Sequence, residues 1–108
     1  SRMKKHYKAR LQSLLEVLAQ PEFIGLCSAR QAVAGLHFLL EFHTKEQGAA
    51  LKDALERAGL PAPLLSEFYL RQSPKEALRC AVVQYSGLDV EGFGESMRKL
   101  AAGLTPEP

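Results

Sequence analysis

The sequence has no tryptophan, only two cysteines and no long apolar run. Each shortage narrows what the chain can be. Cys27 and Cys80 are too few for a disulfide scaffold, and no Cys-x-x-Cys pair offers zinc or redox chemistry. They read as two buried thiols in a reducing, intracellular compartment, cytoplasmic or nuclear. The densest apolar stretch, Ala32 to Phe42, is interrupted by Gly35, His37 and Glu41. It falls short of the about 20 residues a bilayer span requires, so no membrane span is expected. The N-terminus does not pass from a basic region into an apolar run and a small-residue cleavage site, and a secretory signal is not expected. Nucleophile motifs are missing too: there is no Gly-x-Ser-x-Gly, and neither cysteine has a histidine in a recognisable local signature.

What remains is a chain of 108 residues, 46% hydrophobic and 24% charged. Those values describe one globular domain with a single core. We place it at residues 3–104, with Thr105-Pro106-Glu107-Pro108 as a C-terminal tail or the start of a linker. The formal net charge of +2 is unevenly spread. Arg2, Lys4, Lys5, Lys8 and Arg10 stand among the first ten residues with no acid between them. The rest of the chain sets nine Lys and Arg against 12 acids, a balance of −3.

Helical spacing dominates the pattern, and the fold class it predicts is all-α: a compact bundle of five to six helices. From Met3 to Ala19, Tyr7, Leu11, Leu14, Leu15 and Leu18 share one face, and Pro21 stops the run. Ser28 and Gln31 have capping-box spacing and open a second helix reaching His43. There Ala29, Val33, Leu36 and Leu40 form one stripe, and Phe38 and Phe42 form another on the far side. Thr44 and Gln47 repeat the spacing before a third helix with Gln47, Leu51, Ala54, Leu55 and Ala58 inward, closed by Gly59 and Pro61. A short fourth helix starts near Pro63 and turns Leu64, Leu65 and Phe68 inward. Ser73-Pro74-Lys75-Glu76 reads as N-cap, N1 proline and N3 glutamate of a fifth, which ends at Gly87. A sixth runs from Asp89 or Glu91 to Gly103, with Phe93, Met97, Leu100, Ala101 and Leu104 as its stripe. No segment alternates with period two over five residues, so no strand is expected.

Chemistry finds little support. On a helix, His37 and His43 would point to different sides and could not share a metal. Gly92-Phe93-Gly94 lacks the strand and third glycine of a phosphate-binding turn. Glu91 and Glu95 read as a solvated face. No cofactor or metal is expected, and the chain is not expected to be an enzyme.

The stretch from Leu51 through Gly59-Leu60-Pro61 to Gln72-Ser73-Pro74 resembles the helical N-terminal domains of COMM-domain proteins, and a six-helix count resembles death-fold adaptors. These resemblances imply a helical domain and carry over no residue role. The apolar surplus is more informative. It predicts a protein–protein interaction module, adaptor, scaffold or self-associating homo-oligomer, acting through an apolar helical surface with Phe38, Phe42, Phe23, Tyr69 and Leu70 as interface residues. The alternative is an accessory nucleic-acid-binding domain whose N-terminal helix grips phosphates through Arg2, Lys4, Lys5, Lys8 and Arg10.

Overall fold

The computed structural model describes residues 2–31 and 36–107, with side chains placed over 5–30 and 36–107. In chain order the elements are α1 (Arg2–Leu18), α2 (Pro21–Ile24), β1 (Cys27–Gln31), β2 (His37–Phe42) and α3 (Ala49–Arg57). Two 3-10 turns follow, Leu65–Phe68 and Lys75–Arg79, then β3 (Cys80–Gln84) and α4 (Val90–Gly103). The strands form an antiparallel sheet in the order β1-β2-β3. The protein is therefore mixed α/β, and the expected all-helical bundle is overturned. No helix among the described residues is long and apolar enough to cross a membrane.

The expected second helix, residues 28–43, is replaced by two paired strands, Cys27–Gln31 and His37–Phe42. Cys27 pairs with Phe42 and Arg30 with Leu39. Val33, part of the expected helical stripe, lies outside the described residues. Along β2, Phe38, Leu40 and Phe42 are buried while His37, Leu39 and Glu41 are partly exposed. A helix would have set the two phenylalanines away from Leu40; the period of two in a strand puts all three on one face. Leu39 on the opposite face hides that alternation in the sequence, as Val82 does in β3. A short apolar run of this kind fits either period until length and branching decide, and adjacent valines at 82 and 83 favour the strand.

The buried face of the sheet meets Leu14 and Leu18 of α1, Leu51 and Leu55 of α3, and Phe93, Met97 and Leu100 of α4 in one continuous core. Phe38 lies edge-on to Phe93 at 6.3 Å between ring centroids, the arrangement that aromatic quadrupoles favour. Three helical expectations agree with the structure in whole or part: the α1 face, the Phe93, Met97 and Leu100 positions of the α4 stripe, with Leu104 buried just past its end and Ala101 exposed, and Gly59 with its left-handed φ of 82° closing α3. Asp89 caps α4, accepting from Gly92 N at 2.9 Å. Other caps fail. The helix expected after Thr44 begins only at Ala49, and Gly48 precedes it with no side-chain cap. Ser73 caps nothing either, because Pro74 leads into a 3-10 turn without a side-chain hydrogen bond.

The two edges of the sheet differ. His43 N donates to Leu26 O at 2.8 Å, which fixes the parity of the β1–β2 ladder: Ser28 and Arg30 bond to β2, and Cys27 and Ala29 turn their N–H and C=O outward. Among the described residues no hydrogen bond reaches those outward groups. On the other side, Val82 N donates to Pro63 O at 2.8 Å and Leu64 bridges to Ala81, so Pro63 and Leu64 cover the β3 edge at these two residues.

Residues 105–107, expected as a tail, pair with the chain after β2. Lys45 N donates to Thr105 O, Glu107 N donates to His43 O, and Arg79 forms an ion pair with Glu107. Both Glu46 carboxylate oxygens accept from Thr105, one from its amide and one from its hydroxyl, each at 2.9 Å.

If this core carries the fold, Phe38→Ala and Leu40→Ala each lower stability by about 2 to 5 kcal/mol, the range for truncating a buried large side chain. Leu39→Ala, on the opposite face, costs less than either. Urea unfolding followed by circular dichroism checks the order, and equal losses at all three positions would contradict the assigned faces.

Candidate functional site

The most distinctive surface grows out of the segment Pro61-Ala62-Pro63-Leu64. Its prolines fix φ and remove two N–H groups, which keeps the segment extended along the β3 edge. Leu64 is buried there. The chain then reverses: Leu64 N donates to Glu67 Oε2 at 2.6 Å, Glu67 N donates to Leu64 O at 3.0 Å, and Tyr69 N donates to Ser66 O at 3.3 Å. Lys52 Nζ reaches Glu67 Oε1 at 2.9 Å from α3. The amide of Leu64, and secondly Lys52, hold the Glu67 carboxyl below its ordinary range.

A 3-10 turn this short has no continuous inward stripe, and the residues leaving it face solvent. Phe68 is 62% exposed, Tyr69 43%, and Leu70 fully. Phe68 was expected to point inward; the structure reverses it. Beside it lies an open groove of about 420 Å³ whose wall includes Pro61, Pro63, Phe68, Val82 and Leu88, with His37 and Gln84 at its polar end. Three consecutive large apolar side chains are exposed here, the first of them lining the groove, whereas the exposed Ile24 of α2 stands by itself in the sequence.

The other expected interface residues sit elsewhere. Phe23, Phe38 and Phe42 are all core side chains, each at most 1% exposed, so the monomer presents none of them; the geometric case for Phe38 and Phe42 disappears with the helix that carried it. Tyr69 and Leu70 are on the surface. The sequence signal for the patch was its composition: Phe68-Tyr69-Leu70 covers more than one side of any short turn.

Of the basic cluster, Lys5 and Lys8 are exposed on α1, and the side chains of Arg2 and Lys4 lie outside the described residues. Arg10 is occupied. Its guanidinium donates to Ser86 O at 3.2 Å and Leu88 O at 2.7 Å, tying α1 to the loop before α4.

Reactive groups are subdued. Burial pushes the Cys27 thiol up to about 12. It also raises Cys80, where Arg30 only partly opposes the desolvation. Both therefore stay protonated near neutrality and are poor nucleophiles. Ser28 Oγ and His43 Nε2 hydrogen-bond at 2.7 Å across the hairpin, but among the described residues no carboxylate hydrogen-bonds the ring to orient it as a base. His37 and His43 share a face of the hairpin, correcting the helical reading, yet six residues of strand separate them by about 20 Å. Among the described residues no group of three or more His, Cys, Asp or Glu converges on a metal position. No protein-family model matches the chain.

Glu67 gives the patch a pH dependence. Its depressed folded value means that the stabilisation is complete above the unfolded carboxyl value of 4.5 and is lost as pH falls through the lower folded value. Protection of the Leu64 amide in hydrogen exchange should therefore fall on acidification below that region, and Glu67→Ala should remove the dependence. Unchanged protection in the variant would show that the carboxylate does not hold the turn.

Proposed function

We propose that this domain is a protein-interaction module that docks a partner chain on the Phe68–Tyr69–Leu70 patch and the groove beside it. The observation that carries this reading is the exposure of three consecutive large apolar side chains on a turn held from beneath by Glu67. Leaving them in water forgoes roughly 1.5 to 3 kcal/mol for each side chain that could be buried, a gain a partner realises on binding. Aromatic anchors next to a concave apolar wall are the usual centre of such interfaces. Muted thiols and an unoriented histidine agree with binding rather than catalysis. The basic-helix alternative is weakened by Arg10, whose donors are engaged within the fold.

A photo-cross-linking residue in place of Tyr69 should trap a protein partner, either a second copy or another chain. Leu70→Ser and Phe68→Ser should each cut the adduct by about tenfold or more while the unfolding midpoint is retained, since an anchor residue contributes about 2 kcal/mol or more. An adduct insensitive to both substitutions, or no adduct at all, would refute the patch as the docking surface.

A further inference from the structure

Two hydroxyl residues in the chain precede proline, Ser73 before Pro74 and Thr105 before Pro106, and the fold treats them in opposite ways. Thr105 is the more exposed, but every polar group it has is engaged. Its amide and hydroxyl donate to Glu46, and its carbonyl accepts from Lys45 N at 2.8 Å. Ser73 lies in the connection from Leu70 to Pro74, where among the described residues no hydrogen bond fastens the backbone of residues 70–73 and none engages the Ser73 hydroxyl. Its neighbours Leu70, Arg71, Gln72, Pro74 and Lys75 are exposed. Pro74, at φ −61° and ψ 152°, prolongs an extended course, and a residue before proline is itself biased to extended conformations.

We infer that Ser73 is a phosphorylation site for a proline-directed serine/threonine kinase, and that the fold withholds the more exposed Thr105 from the same enzyme. A kinase must draw its acceptor into an extended strand, which the 70–74 segment can supply without breaking a backbone hydrogen bond of residues 70–73 among the described residues. The proline after the acceptor brings a ring and no N–H, which suits an enzyme that accepts the ring and needs no amide there. In the transfer, Ser73 Oγ attacks the γ-phosphorus of a nucleoside triphosphate. An O–P bond forms, the bond to the β-phosphate oxygen breaks, the hydroxyl proton passes to the kinase's base, and nucleoside diphosphate leaves. The product places a phosphate of charge about −1.5 to −2 between the cationic side chains of Arg71 and Lys75.

The experiment incubates the folded full chain with a purified proline-directed kinase and magnesium ATP, and reads the modified position by fragment mass spectrometry. Wild-type protein should carry one phosphate on Ser73 and essentially none on Thr105, and Ser73→Ala should abolish the signal. Glu46→Ala releases the amide and hydroxyl of Thr105, though not its carbonyl, and its labelling should rise by about tenfold or more, as expected from releasing a hydrogen bond to a charged acceptor. Absence of phosphate on Ser73, or labelling of Thr105 as fast as Ser73 in the wild type, overturns the inference. Thr105 remaining inert in Glu46→Ala overturns the hydrogen-bonded account of the selection.

Discussion

The structure depends on the placement of Phe38, Leu40 and Phe42 on one face of the central strand. Because β2 has neighbours on both sides, its amides and carbonyls are used in the ladder, and its three large side chains can be buried without stranding polar backbone. The helices then have one apolar floor to cover. α4 lays Phe93, Met97 and Leu100 against it, and α1 and α3 supply Leu14, Leu18, Leu51 and Leu55. Arg10 ties α1 to the loop before α4, and Thr105 ties the chain after α4 to Glu46 in the chain after β2.

What covers the β3 edge also makes the candidate docking surface. Pro61 and Pro63 keep the chain extended there, Leu64 enters the core, and the turn that follows has too few residues to hide what comes next. Exposure of Phe68, Tyr69 and Leu70 is thus a geometric result of sealing an edge in a small domain. The outer face of the sheet is muted by local pairing, Arg30 with Glu41 at 3.4 Å and Ser28 with His43. Exposed pairs of this kind contribute little stability, but they set polar groups on that face beside Leu39 and Val82.

Sequence reading found the terminal helices because their stripes are long: five positions in α1, and Phe93, Met97 and Leu100 in α4 with Leu104 just past its end, keep a helical period that no strand could satisfy. It also placed Asp89 and Gly59, whose roles are local. It failed where the element was short and both faces were partly apolar. Leu39 and Val82 on the outer face erase the alternation that would have marked strands, and Ser28 with Gln31 imitate a cap. Of the side chains expected at a surface, Tyr69 and Leu70 are exposed, whereas Phe38 and Phe42, placed on a helix that is a strand, and Phe23, placed in the connection after α1, are buried. Phe68 could be assigned only once the turn was seen to be a single 3-10 turn, held by a carboxylate three residues along the chain from Leu64.

The two edges of the sheet differ in what they offer another strand. A strand added from another molecule finds donors and acceptors at Cys27 and Ala29, whereas the opposite margin is occupied by Pro63 and Leu64. An edge left bare along its length invites strand-to-strand growth; here Pro63 and Leu64 take up part of one edge, at Ala81 and Val82.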